Sequence, residues 1–166
     1  MMDEDLQHAA ARAFSACRGK QLTVVTAESC TSGLVAAALT EIPGSSDVFD
    51  RGFITYSNEA KQSVLGVSPG MLAAHGAVSR ETAEAMARGA LSHSHADLAI
   101  AVTGIAGPGG GSAHKPVGLV YFAAAARNGP VLHSEQRFGD IGRAQVRHKS
   151  VIEALELITG LANSQD

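Results

Sequence analysis

The chain has 166 residues, a length that predicts a single domain over residues 1–166 with one substantial core. With 45% hydrophobic and 17% charged residues, it is excluded from the disordered and highly charged classes of protein. Thirteen Lys plus Arg against 16 Asp plus Glu give a net charge of −3, which offers no broad basic surface for nucleic acid or an anionic membrane. No apolar stretch is long enough to cross a bilayer, and the acidic N-terminus is unlike a signal peptide, so we expect a soluble, cytoplasmic protein.

Helices and strands are predicted to alternate over the first 100 residues. Apolar residues three and four apart indicate helices, and β-rich runs bounded by turn residues indicate strands. In chain order the predicted elements are helix 4–18 capped by Gly19, strand 21–27, helix 31–41, strand 47–56 with a bulge at Gly52, helix 59–65, a helix beginning at Pro69, helix 79–93, strands 96–102, 117–126 and 132–138, and helix 142–161. This order predicts an α/β protein, a three-layer α/β/α sandwich with a mixed, mostly parallel sheet of about five strands.

A first polar cluster follows the first predicted strand, where open α/β sheets place their ligands. It contains Glu28, Ser29, Cys30 and Thr31. Free amides at the start of the next helix would favour negative charge there, so Ser29 is a candidate nucleophile whose oxyanion those amides would hold. The alternative is that Ser29 or Thr31 merely caps the helix. Cys30 is a second candidate nucleophile, although a buried hydrophobic role is commoner for cysteine.

A second cluster, Tyr56 to Lys61, lies at the next strand-to-helix turn. A desolvated lysine can be neutral and accept a proton from a serine, which makes Lys61 a candidate general base. The alternative is a solvated lysine on the surface of an amphipathic helix.

A third candidate site is the glycine-rich loop Thr103–Gly111. Glycines let the backbone approach a ligand and turn N–H groups towards an anion, but the loop lacks the Gly-Lys-Ser/Thr of a Walker A motif. Arg143 and Arg147, at the start of the last helix, are typical of a phosphate clamp or of two solvated arginines. We predict no metal site, because His93 and His95 are the only close histidine pair and the two cysteines fit no metal spacing.

Taken together, these segments resemble the C-terminal domain of the CinA family, the nicotinamide-nucleotide amidohydrolases. The matching motifs are AESCTSG (27–33), EIPGSSDVFDRGFITYSNEAK (41–61), LGV (65–67), HGAVS (75–79), TGIAGPGGG (103–111), KPVGLVYFA (115–123) and VR (146–147). The motifs occur in the family's order over most of positions 21–147, and jointly they are highly specific.

The resemblance implies hydrolysis of the carboxamide of nicotinamide mononucleotide to nicotinic acid mononucleotide and ammonia. It implies that Ser29 is the nucleophile, that Lys61 is its general base and that Tyr56 assists within the same proton network. It also implies a three-layered fold with a mixed sheet, no metal or organic cofactor, and self-association, commonly as dimers. The residues expected at the substrate are Glu28, Cys30, Thr31, Thr103, Gly104 and Gly107, with Arg143 on the phosphate.

Two positions depart from the family's pattern. Ser32 replaces the first glycine of ESCTGG, and we expect little effect if its dihedral angles are helical. The usual Gly-Asp-Arg becomes Asp140-Ile141-Gly142-Arg143, which puts the contribution of Asp140 in doubt.

Two other functions remain open at this point. One is a non-catalytic nucleotide-binding module associated with the competence and DNA-damage responses, which needs the glycine loop and Arg143 but no reactive Ser29. The other is a serine–lysine hydrolase acting on a different amide.

Overall fold

The computed structural model describes residues 2–166, which form one five-stranded sheet and the helices on its two faces. In chain order the elements are α1 (Glu4–Gly19), β1 (Val24–Glu28), α2 (Leu34–Thr40), a 3₁₀ turn (Ser45–Asp47), β2 (Phe49–Ile54), α3 (Asn58–Leu65), α4 (Pro69–His75), α5 (Arg80–Ser92), β3 (Leu98–Gly104), β4 (Leu119–Ala126), β5 (Val131–Arg137) and α6 (Arg143–Asn163).

The sheet has the strand order β2-β1-β3-β4-β5. The β2–β1 and β1–β3 pairs are parallel, whereas β3–β4 and β4–β5 are antiparallel, so only β4 opposes the direction of the other strands. This arrangement confirms the predicted mixed sheet. A turn at Asn128-Gly129 joins β4 to β5, with Asn128 in the left-handed region at φ 56°.

Helices cover both faces of the sheet, which confirms the three-layer sandwich. Helix α6 packs on one face of the sheet against β3 and β4, and α1 and α2 pack against α6. All three belong to one apolar cluster that includes Leu98, Ile100 and Val102 of β3. Helix α5 packs on the other face over small side chains such as Ala99 and Ala101. Helix α3 rests on α5 at Gly89, where an added Cβ atom would lie 2.0 Å from the Leu65 carbonyl oxygen.

Local predictions failed where the outcome depended on neighbouring strands or on the left-handed conformation. The bulge in β2 is at Asp50, because Phe49 pairs with Val24 and Arg51 pairs with Val25. Gly52 instead passes close to Thr26, whose Oγ1 atom would lie 2.6 Å from an added Cβ.

Helix boundaries also differ from the prediction, most of them by one or two residues, and the ends of α1 and α2 are examples. Helix α1 includes Gly19, and Lys20 is its C-cap. Helix α2 begins at Leu34 rather than at residue 31, because Ser32 and Gly33 have positive φ angles of 47° and 94°, which no right-handed helix accommodates.

The structure also bears on membrane insertion. Over the described residues, no helix combines the length with the apolar character that crossing a bilayer requires.

Candidate active site

The carboxyl ends of β1, β2 and β3 meet at one edge of the sheet. Glu28, the last residue of β1, pairs with Ile54 of β2 and Val102 of β3. The ladder continues one step further, since the Thr55 amide donates to the Glu28 carbonyl at 2.9 Å and the Ser29 amide donates to the Val102 carbonyl at 3.0 Å. The Glu28–Ser29 peptide is therefore hydrogen-bonded on both sides, to the chain after β2 and to β3, which fixes the position of Ser29 at the carboxyl end of β1.

Lys61 reaches Ser29 from α3. Its Nζ atom lies 3.0 Å from the Ser29 Oγ atom, 2.8 Å from the Thr55 carbonyl oxygen and 3.2 Å from the Tyr56 carbonyl oxygen. Helix α3 starts one residue after Ser57, whose hydroxyl oxygen accepts from the Ala60 amide at 3.0 Å. The cap fixes the first turn of α3, and the side chain of Lys61 then points back to the sheet edge with only 1% of its surface exposed.

The surroundings of Lys61 make its proton easier to lose. No carboxylate in residues 2–166 lies within ion-pair distance of Nζ, and burial lowers the pKa of the Lys61 ammonium below its ordinary value of 10.5. A neutral amine has two N–H donors and one lone pair. In the structure Nζ donates to the Ser29 Oγ atom and to both carbonyl oxygens, which matches the three N–H groups of the ammonium. After loss of one proton, the two carbonyl oxygens still accept the two remaining donors, and the lone pair can take the hydroxyl proton of Ser29.

Glu28 binds the start of α2 rather than facing open space. Its carboxylate oxygens accept from the Thr31 hydroxyl at 2.7 Å and from three amides, those of Gly33 at 3.1 Å, Val35 at 2.9 Å and Ala36 at 3.1 Å. The expectation that the first amides of this helix would hold the oxyanion of Ser29 is therefore wrong, because Glu28 already occupies them. Capping by Ser29 or Thr31 is also wrong, since the N-cap is Gly33 and makes no side-chain bond.

Cys30 follows Ser29 but is buried, with 4% of its surface exposed. Burial raises the pKa of the Cys30 thiol to about 11, so the thiol stays protonated at neutral pH and is a weak nucleophile. Its carbonyl oxygen accepts from the Nε atom of Arg147 at 3.0 Å.

A cavity of about 180 Å³ opens beside Ser29 and Lys61. Seven of the predicted site residues line it, together with three small apolar residues that the sequence analysis did not select. The lining residues are Ser29, Cys30, Tyr56, Lys61, Ala77, Val78, Thr103, Gly104, Ala106 and Arg143.

Three predicted substrate-binding residues lie outside this cavity lining. Glu28 and Thr31 are engaged with each other and with α2, while Gly107 contributes its carbonyl oxygen to Arg143 at 2.9 Å. A larger cavity, of about 400 Å³, lies between α1, α2 and α6 and is lined mainly by apolar residues such as Leu6, Leu34 and Val151. Despite its size it contains neither Ser29 nor Lys61, so we place the candidate site at the smaller cavity.

Tyr56 and Arg143 form one rim of the site. The Nη2 atom of Arg143 donates to the Tyr56 hydroxyl at 3.1 Å, and Tyr56 has 58% of its surface exposed. Tyr56 therefore contacts Lys61 through its backbone carbonyl, whereas its hydroxyl contacts Arg143.

Thr103 and Gly104 form the wall contributed by β3. The Thr103 hydroxyl donates to the Ala77 carbonyl at 2.8 Å and so holds the Ala77-Val78 segment against the cavity. A Cβ atom on Gly104 would lie 2.9 Å from the Leu119 carbonyl oxygen and 2.6 Å from a methyl group of Val120, so the close β3–β4 pairing requires glycine there.

The two departures noted in the sequence have different outcomes. Ser32 has a left-handed backbone, so the condition of helical dihedral angles is not met, and both its amide and its hydroxyl donate to the Ser29 carbonyl at 3.1 Å. Asp140 is exposed in the loop before α6. Within residues 2–166, no three His, Cys, Asp or Glu side chains are grouped as a metal site would need.

Comparison with known proteins places this geometry in a family. Residues 6–162 match the model of the CinA C-terminal domain. The chain is 46% identical over 159 residues to the nicotinamide-nucleotide amidohydrolase PncC of Escherichia coli, with 95% of each chain covered. It superposes with a TM-score of 0.95 on the crystal structure of the competence/damage inducible protein CihA of Agrobacterium tumefaciens, at 56% identity and with 97% and 98% of the two chains covered.

Other relatives are much longer than this chain. The CinA-like protein of Geobacter sulfurreducens is 49% identical over 154 residues, which span 93% of this chain but 36% of that protein. The chain thus spans about a third of the length of several curated relatives that it matches.

Proposed function

Because the chain belongs to the CinA C-terminal domain family, we propose that it hydrolyses the carboxamide of nicotinamide mononucleotide to nicotinic acid mononucleotide and ammonia. In this proposal Ser29 is the nucleophile and Lys61 is the general base. The observation that carries it is the 3.0 Å contact between the Lys61 Nζ atom and the Ser29 Oγ atom, made by a buried lysine without a carboxylate partner.

The reaction begins with formation of an ester on Ser29. The Oγ atom attacks the carboxamide carbon, its proton moves to Lys61, and the electron pair of the C=O bond moves onto the oxygen. Lys61 then gives its proton to the amide nitrogen, the C–N bond breaks, and ammonia leaves. One residue thus acts as base and acid in turn, the role of histidine in a serine–histidine–aspartate triad.

Hydrolysis of the ester completes the cycle. Lys61 removes a proton from water, the water oxygen bonds to the acyl carbon, and the bond from that carbon to Ser29 breaks. The proton returns to the Ser29 oxygen and the carboxylic acid product is released. Every proton is transferred through Lys61, so no oxidant, reductant or further co-reactant is needed.

The shape of the site supports a nucleotide as substrate. A cavity of about 180 Å³ is smaller than the roughly 300–1,000 Å³ of most ligand pockets, so only the pyridine carboxamide would enter it and the ribose phosphate would extend to the rim. Arg143 stands at that rim, where its guanidinium can exchange the Tyr56 hydroxyl for phosphate oxygens. Phosphate binding far from the reacting carbon would orient the amide.

The first test is ammonia release from nicotinamide mononucleotide by the purified protein, by Ser29→Ala and by Cys30→Ala. We expect release by the wild type and by Cys30→Ala, and none by Ser29→Ala, which should still bind the nucleotide. Release by Ser29→Ala at the wild-type rate would rule out the serine mechanism.

The same experiment separates the other functions. If the wild type binds the nucleotide without releasing ammonia, the chain is a binding module instead. If it releases ammonia from another amide and the mononucleotide does not compete, it is a hydrolase of different specificity. The Ser29–Lys61 contact favours an enzyme over a binding module, since binding alone needs no buried lysine that, within residues 2–166, lacks a carboxylate partner.

The domain extent, the location and the oligomeric state of the protein are part of the proposal. We propose a single amidohydrolase domain over residues 1–166 that acts in the cytoplasm as a homo-oligomer, with a dimer favoured. Sedimentation velocity of the purified chain tests the oligomeric state, and a monomer at micromolar concentration would contradict it.

A further inference from the structure

Arg147 lies one helical turn after Arg143 on α6. It contacts the loop between β1 and α2, residues 29–33, which contains Ser29. Its Nε atom donates to the Cys30 carbonyl oxygen at 3.0 Å, which is its one hydrogen bond within residues 2–166. Arg147 does not line the cavity that contains Ser29 and Lys61, but it lines the larger apolar cavity between α1, α2 and α6. It therefore touches the loop and not the space for the substrate.

The contact with Arg147 fixes the direction of a peptide N–H group. In a planar trans peptide the C=O and N–H bonds point in opposite directions. Since the Cys30 carbonyl points at Arg147, the Thr31 N–H points away from Arg147. The Ser29 carbonyl likewise accepts from the amide and the hydroxyl of Ser32, so the Cys30 N–H points away from Ser32. Two consecutive peptides beside the nucleophile are thus held by hydrogen bonds to their carbonyls.

Of these two N–H groups, the one of Cys30 is within reach of a ligand, because Cys30 lines the cavity and Thr31 does not. Within residues 2–166 the Cys30 amide donates to no backbone or side-chain oxygen, although the residue is buried. Buried backbone donors without an acceptor are rare in folded proteins. The amide after a nucleophilic serine is a recurrent oxyanion donor in hydrolases, and here the amides at the start of α2 are already bound by Glu28.

We propose that Arg147 is a positioning residue, which holds the Cys30 carbonyl and so fixes the backbone of Cys30 with its N–H group towards the carboxamide oxygen of the substrate. This inference rests on the proposed function. When the bond from Ser29 to the carboxamide carbon forms, the C=O electron pair moves onto that oxygen and the serine proton goes to Lys61. The Cys30 N–H group stabilises the negative oxygen by hydrogen bonding and loses no proton.

The test compares Arg147→Met and Arg147→Lys with Lys149→Ala, a control that removes an exposed positive charge from the same helix. Methionine suits the apolar neighbours of Arg147 and preserves packing, but it cannot donate to the Cys30 carbonyl. For ammonia release from nicotinamide mononucleotide, we expect Arg147→Met to lower kcat by about tenfold or more while KM changes by less than about twofold. Arg147→Lys, which retains a donor, should recover part of the loss, and Lys149→Ala should match the wild type.

Two further measurements separate positioning from simple damage to the fold. The stoichiometry of nucleotide binding, measured in Ser29→Ala with and without Arg147→Met, should stay the same. The acid limb of the pH profile should also be unchanged, because Lys61 is not altered.

Three results would overturn the proposal. Wild-type kcat in Arg147→Met would show that the Cys30 carbonyl needs no such support. A fall in binding stoichiometry that Arg147→Lys does not restore would show a purely structural role. An inactive wild type would overturn the proposed function and this inference together, whereas an active wild type with an unaffected Arg147→Met overturns only the role of Arg147.

Discussion

The Nζ atom of Lys61 lies 3.0 Å from the Oγ atom of Ser29, and burial lowers the pKa of the Lys61 ammonium. Only the neutral amine can accept the serine proton. We therefore expect kcat/KM for nicotinamide mononucleotide to rise with pH along an acid limb whose midpoint lies below 10.5, the ordinary pKa of lysine. A pH profile of ammonia release measures this limb.

Lys61→Arg is the matched variant for this prediction. A guanidinium stays protonated at every accessible pH, so the variant should show no acid limb and almost no activity even at alkaline pH. Substantial activity in Lys61→Arg would mean that another group takes the proton from Ser29.

The buried lysine also predicts how stability depends on pH. Because the pKa of Lys61 is lower in the folded than in the unfolded chain, the unfolded chain binds more protons between the lowered pKa and 10.5. The free energy of unfolding should then rise with pH across that window, by about 1.4 kcal/mol for each unit by which the pKa is lowered. Denaturant unfolding of wild type and Lys61→Met at pH 7 and pH 10 checks this. The free energy of unfolding of the wild type minus that of Lys61→Met should be larger at pH 10 than at pH 7. The same difference at both pH values would contradict the prediction.

Glu28→Gln should destabilise the protein and slow the reaction. The carboxylate accepts four hydrogen bonds at the start of α2, whereas a glutamine offers one acceptor oxygen and an NH₂ group that opposes the helix amides. We expect a loss of about 1–3 kcal/mol in the free energy of unfolding, together with a lower kcat because Ser29 is the next residue. Glu59→Gln, an exposed change in the first turn of α3, is the control. Unfolding at pH 7 and ammonia release measure the two effects, and equal behaviour of the two variants would be inconsistent with a capping role for Glu28.

Arg143→Ala should weaken binding through the phosphate. With nicotinamide mononucleotide we expect KM to rise by about tenfold or more, since a charge-assisted hydrogen bond is lost. With nicotinamide riboside, which has no phosphate, wild type and Arg143→Ala should behave alike. Tyr56→Phe is the companion variant: it removes the hydroxyl that contacts Arg143 but keeps the carbonyl that contacts Lys61, so most of kcat should remain. An equal rise in KM with both substrates would show that Arg143 does not bind the phosphate.

Much of the site could be predicted because the carboxyl ends of the parallel strands meet at one edge of the sheet and bring polar residues together there. Ser29 and Thr55 each follow a parallel strand, and Thr103 lies at the end of another. Residue type made Ser29 and Lys61 candidates, and the family motifs singled them out. The parts that were missed depend on conformation in three dimensions. Glu28 reaches amides five to eight residues ahead only because the chain turns sharply at Ser32 and Gly33. Such a turn has no periodic pattern in the sequence.

Other misses have equally physical reasons. The bulge at Asp50 is set by the register between β2 and β1, which no local pattern in β2 reveals. Ala77, Val78 and Ala106 line the cavity through their shape, and small apolar side chains have no chemical signature. They lie in HGAVS and TGIAGPGGG, two of the motifs that carry the family resemblance, and that position was the one available signal.

Ser32 provides a test of backbone strain beside the nucleophile. Its φ of 47° costs a serine about 1–2 kcal/mol relative to glycine, while its two donations to the Ser29 carbonyl offset part of that cost. Ser32→Gly keeps the amide donation, loses the hydroxyl and relieves the strain, so its free energy of unfolding should stay within about 1 kcal/mol of the wild type. Ser32→Ala loses the hydroxyl without relieving the strain and should be less stable than Ser32→Gly by about 1 kcal/mol. Denaturant unfolding of the three proteins gives this order, and an alanine variant as stable as the glycine variant would mean that the left-handed backbone at Ser32 is unstrained.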